Sequence, residues 1–76
     1  MEPHKVLAFG KKILVTDKSV FRVEERKLPR AAYEGLYSHK DLHKAIDYYE
    51  NTPVKAGWLV RLIKDGDEYI LITKKS

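Results

Sequence analysis

Most of this chain reads as β-strand segments, apolar on both faces in two hairpins and cleanly alternating in one strand, interrupted once by a helical period. The last third, Trp58 to Thr73, carries the strongest pattern. Asp65-Gly66 reads as a two-residue turn, because this dipeptide readily takes the positive φ angles of a type I′ hairpin. That turn sets Lys64 opposite Asp67, Leu62 opposite Tyr69, Val60 opposite Leu71 and Trp58 opposite Thr73, a face expected to be core. The other face pairs Ile63 with Glu68, Arg61 with Ile70 and Leu59 with Ile72. Its aliphatic residues also need cover, and one helix covers only one face of a sheet.

The N-terminal segment reads the same way. His4 to Phe9 is a strand, Gly10-Lys11 a turn, and Lys12 to Thr16 the returning strand. Ala8 and Val6 then face Ile13 and Val15, while Leu7 faces Leu14 on the opposite side. After a turn at Asp17-Lys18-Ser19, Val20 to Glu25 alternates cleanly, with Phe21 and Val23 one way and Arg22 and Glu24 the other. A strand with one wet face belongs near an edge. Residues 26–37 have no clear period and read either as a loop or as a short helical turn started by Pro29 and ended by Gly35.

One helix is expected, from Ser38 or His39 to Asn51, with Ser38 as N-cap and Asp41 completing an approximate capping box. Leu42, Ala45, Ile46 and Tyr49 form its apolar stripe, and Asn51-Thr52-Pro53 ends it. Lys74-Lys75-Ser76 reads as a frayed tail. The expected fold is thus a single α+β domain over residues 1–76, a five-stranded antiparallel, strongly curled sheet in the order β-β-β-α-β-β with one main helix. Barrel closure or a second subunit would cover the second apolar face.

Composition adds limits. Seventy-six residues make one core, and with no cysteine there is neither a disulfide nor a thiolate-metal staple. The longest apolar runs are three or four residues, far below the ~20 of a spanning helix. With Met1 at the start, the expectation is a complete cytoplasmic protein without a membrane partner. Glutamine is absent and charged residues make up 34%, a composition of the thermophilic kind.

The net charge of +4 is unevenly spread: residues 1–40 hold nine Lys or Arg against five acids, and residues 41–76 hold six against six. A basic half suggests a polyanion, although lysines also keep small sheets soluble and their edges unpaired. The candidate phosphate-binding residues are Lys11, Lys12, Lys18 and Arg22, then Arg26, Lys27 and Arg30, with Tyr33 and Tyr37 able to stack on bases. The helix, with Asp41, Asp47 and Glu50 against Lys44, would repel phosphates.

Enzymatic chemistry finds little footing. His39 and His43 at helical spacing could ligate zinc or nickel, with His4 unplaced, but a solvated helix face with a His43–Asp47 pair accounts for them better. Ser19, Ser38 and Ser76 read as turn, cap and tail. No catalytic residues, no metal, no cofactor and no small-molecule substrate are inferred, and a small metal-assisted nuclease is the remote alternative. The first expectation is a non-enzymatic binding or regulatory protein, a homodimer through Leu59, Ile63, Ile70, Ile72 and Tyr48, of the short kind that viruses and mobile elements encode. The alternative is a protein that binds DNA or RNA through its basic N-terminal hairpin and the 26–37 loop.

Overall fold

A computed structural model describes residues 2–66 and 69–76. It shows a small α+β domain of six strands and one helix: β1 (His4–Ala8), β2 (Lys11–Val15), β3 (Phe21–Lys27), β4 (Glu34–His39), α1 (Leu42–Asn51), β5 (Trp58–Lys64) and β6 (Tyr69–Lys75). The strands make two antiparallel sheets, a hairpin β1-β2 and a four-stranded sheet in the order β4-β3-β5-β6. The expected five-stranded, strongly curled sheet is therefore replaced by a two-plus-four arrangement. The hairpin and the helix share the task of covering one face of the larger sheet. The core joins Ile13 and Val15 of the hairpin to Leu42, Ala45 and Tyr49 of the helix, over Phe21, Val23, Val60, Leu62 and Leu71 of the sheet. Burial in this core raises the pKa of the Tyr49 hydroxyl above its ordinary value.

The first hairpin turns one residue earlier than expected. Val6 pairs with Ile13 and Ala8 with Lys11, so Phe9-Gly10 forms the loop, with φ of 54° and 71°. Positive φ at both loop positions is the type I′ requirement, and phenylalanine meets it at some cost. Its ring packs edge-on to Tyr49, 6.5 Å between centroids, which offsets that cost. The register moves by two residues, so each side chain keeps its expected face: Ile13 and Val15 are buried, whereas Leu7 and Leu14 are 73% and 44% exposed.

Residues 26–37 are neither helix nor loop throughout. β3 continues to Lys27, a turn through a cis Leu28–Pro29 bond follows, and Glu34–His39 forms β4 against β3. Consequently β3 is a central strand, not an edge strand. Ser38 and His39 belong to β4, and the helix begins at Leu42 with Asp41 as its N-cap. Asp41 Oδ1 accepts the His43 N–H at 2.9 Å, and His39 Nδ1 accepts the Asp41 N–H at 2.8 Å. The expected apolar stripe of the helix is present, with Leu42, Ala45 and Tyr49 buried and Ile46 packed against the core.

The C-terminal hairpin departs most from its expected register. Lys64 pairs with Tyr69 and Ile63 with Ile70, after which the register shifts so that Leu62 pairs with Ile72 and Val60 with Lys74. The expected partners Asp67 and Glu68 lie outside the described residues. The shift is a β-bulge: Leu71 is the extra residue, and the parity of everything beyond it reverses. Leu71 is buried and Ile72 packs against the core, while Tyr69 and Ile70 stay more than 40% exposed. The tail is also ordered into the sheet. Lys75 pairs with Leu59, and Lys74 Nζ donates to the Tyr49 carbonyl at 2.7 Å, close to the helix end.

Candidate functional site

The face of the four-stranded sheet turned away from the helix carries the largest gathering of guanidinium groups. Alternation puts Arg22, Glu24 and Arg26 of β3 on this face, and the β3–β5 register sets Ile63, Arg61 and Leu59 beside them in the same order. The two-sided apolar surface expected from the hairpin is thereby divided. Ile72 has turned to the core side, and Ile63 is only 3% exposed. Leu59 is half-buried and Ile70 is 42% exposed. Tyr48, the remaining residue expected at an interface, stacks on Tyr37 with 4.5 Å between ring centroids.

Glu24 organises the arginines. Its side chain is only 10% exposed, and its Oε1 accepts from Arg61 Nε at 2.9 Å and lies 2.8 Å from Arg61 Nη2. Arg22 Nε is a looser 3.9 Å from the other oxygen, and Arg22 Nη1 is 3.8 Å from Asp65, so its side chain stays 41% exposed. Tyr33, from the segment between β3 and β4, lies against the same cluster. Arg61 Cζ is 3.5 Å from its ring centroid and Arg26 Cζ is 5.2 Å away. Arg26 is incompletely satisfied: Nη1 donates to the Pro29 carbonyl at 3.4 Å, and its buried Nε has no acceptor among the described residues. At the β4 edge a hollow of about 380 Å³ is lined by Arg22, Gly35, Leu36, Tyr37 and Ser38. A Cβ on Gly35 would sit 3.7 Å from Arg22 Nη2, so glycine leaves that guanidinium uncovered on this side.

The nine expected nucleic-acid residues do not form one patch. Arg22, Arg26 and Tyr33 come together on the sheet face just described. Lys27 ends β3 on the other face by alternation, opposite Trp58, and Arg30 is exposed in the following turn. Lys12 and Lys18 are exposed on the hairpin and on the turn after it, which lie on the helix side of the sheet. Lys11 is engaged elsewhere, its Nζ donating to the carbonyls of Leu71 at 3.2 Å and Ile70 at 3.4 Å. Tyr37 is flanked by Tyr48 and by His39, whose ring centroid is 6.0 Å away and nearly parallel. Arg61 was not among the nine, although its alternation places it on this face. Its importance comes from the β3–β5 register, which brings it to Glu24.

The histidine pair does not share a helix face, because His39 lies in β4 and only His43 in α1. Among the described residues, no group of three or more His, Cys, Asp or Glu side chains is arranged to hold a metal ion. No described helix is long and apolar enough to cross a membrane. No protein-family model, curated protein or solved structure matches this chain.

Proposed function

We propose that the chain binds nucleic acid, without strong sequence preference, through the face of the four-stranded sheet that carries Arg22, Arg26 and Arg61. The observation that supports this reading is the incomplete satisfaction of that cluster. Two guanidiniums, of Arg22 and Arg61, share one buried carboxylate, Arg22 keeps a 41% exposed side chain, and the buried Arg26 Nε has no acceptor among the described residues. A phosphate oxygen can accept from the exposed Arg22 fork and from the terminal nitrogens of Arg26, and guanidinium forks suit phosphate geometry. Arg61 is held by Glu24 and serves the field of the face more than a direct contact.

The test is fluorescence anisotropy of a labelled single-stranded oligothymidine across a salt series. Affinity should fall linearly on log–log axes with a slope of about −1.4, the value for roughly two neutralised phosphates on a single strand. Changing Arg22 and Arg26 together to Ala should weaken binding about tenfold at low salt and reduce the slope by about 1.4. No anisotropy change at low salt, or an unaltered slope in the variant, would sink the reading.

A second reading is self-association, and the observation favouring it lies on the hairpin, not on the sheet. Leu7 and Leu14 share the outer face of β1-β2 and are 73% and 44% exposed. Two such leucines are the kind of apolar surface that a twofold contact removes from water. Sedimentation velocity at micromolar concentration should then show a dimer that Leu7→Lys converts to monomer. A monomeric parent chain rules this reading out without touching the first.

A further inference from the structure

All three histidines of the chain line one pocket, although they come from three different elements. His4 begins β1, His39 ends β4 and His43 lies in the first turn of α1. The base of the hairpin meets the helix start here and leaves a pocket of about 360 Å³. That volume falls within the ~300–1,000 Å³ of small-ligand sites, which combine apolar walls with a few polar groups.

The walls are Val6, Val15 and Leu42, of which Val15 and Leu42 are almost fully buried. The polar residues of the pocket are His4, His39, Lys40, Asp41 and His43. Lys40 supplies an ammonium group. His39 Nδ1 accepts the Asp41 N–H at 2.8 Å, so the proton of the neutral ring resides on Nε2, which becomes a donor. His4 Nδ1 lies 3.4 Å from the Glu2 carbonyl, an atom that can only accept, so any hydrogen bond there runs from the ring to the oxygen. The one carboxylate of the rim, Asp41, already accepts the His43 N–H at 2.9 Å. A metal ion is a poor match, because the His39 Nδ1 lone pair is in use and the described His, Cys, Asp and Glu residues form no ligand cluster.

We propose that this pocket binds a small organic anion with an apolar body, such as an aromatic carboxylate. The ring or chain of such a ligand covers Val6, Val15 and Leu42, and its charged oxygens meet Lys40, the His39 Nε2–H and His43. The site is on the helix side of the large sheet and does not depend on the guanidinium face.

The probes are 2-naphthoate and the uncharged 2-naphthamide, titrated into the whole protein and followed by ¹H–¹⁵N correlation NMR. With 2-naphthoate, saturable shifts should centre on residues 4–6 and 39–43. The amide should bind about tenfold more weakly, because it lacks the charge-assisted hydrogen bonds. Lys40→Ala and His43→Ala should each weaken 2-naphthoate about fivefold. Both residues are exposed, so the variants should keep the parent circular dichroism spectrum. An unchanged affinity in both variants overturns the proposal. Equal binding of the amide, or shifts centred on Leu7 and Leu14 instead, does so as well.

Discussion

Glu24→Ala should lower folding stability by about 3 kcal/mol, near the low end for breaking a buried ion pair. The side chains of Glu24 and Arg61 are 10% and 15% exposed, and both Arg61 contacts converge on one carboxylate oxygen. Removing the carboxylate strands a guanidinium between the Tyr33 ring and a neighbouring arginine, with no other acid within ion-pair distance among the described residues. The remaining exposure of Arg61 admits some water and keeps the cost from being larger. In a chain of this size, that loss corresponds to a fall in Tm of roughly 15 °C. Urea unfolding of Glu24→Ala, Arg61→Ala and the double variant measures the coupling directly, and it should exceed about 1.5 kcal/mol. A single-variant loss below about 0.5 kcal/mol, the range of ordinary surface substitutions, would mean that the pair is no more than a surface contact.

Leu71→Ala should be comparably damaging, at about 2–5 kcal/mol, because it empties a fully enclosed site. Leu71 is 1% exposed and is the extra residue of the β5–β6 bulge. The informative comparison is with its neighbours. In an unbroken hairpin, Ile70 and Ile72 share a face and should respond alike to truncation. The bulge puts them on opposite faces, Ile70 outward and 42% exposed, Ile72 inward against the core. Ile72→Ala should therefore cost about 2 kcal/mol, whereas Ile70→Ala should cost about 0.5 kcal/mol. Equal losses at the two positions would mean that the register is unbroken. A chain of this length has a total stability of roughly 4–11 kcal/mol, so Leu71→Ala alone can bring it close to unfolding.

These two sites also mark where sequence reading succeeds and where it stops. The Val20–Glu25 alternation correctly separates Phe21 and Val23 from Arg22 and Glu24. The first hairpin shows that a turn can be misplaced without harm, since a two-residue shift preserves the face of every side chain. Leu71 shows the opposite case, because one extra residue reverses the faces beyond it and nothing in Tyr69-Ile70-Leu71-Ile72 announces which residue is extra. β4 is hidden for a related reason: its register shifts between Tyr37 and Gly35, so Glu34–His39 lacks a clean period. Ser38 and Gly35 then look like helix punctuation, while Asp41 takes the capping role. The guanidinium face is half legible. Arg22 and Arg26 follow from local alternation, but Arg61 gains its meaning from a strand far away in the chain, and periodicity does not specify which strands become neighbours.

The contact between Lys11 and β6 has a consequence for how the sheet ends. Successive carbonyls of a regular strand point to opposite sides, so a single ammonium reaching those of both Ile70 and Leu71 reflects the irregular backbone at the bulge. β6 is an outer strand, and these carbonyls are the groups an incoming chain would need for pairing. The hairpin thus plugs its own sheet at one margin with a lysine. Among the described residues, the opposite margin, β4, receives no such hydrogen bond from the hairpin. Strand addition to this sheet thus meets an obstacle at β6 that it does not meet from the hairpin at β4 among the described residues.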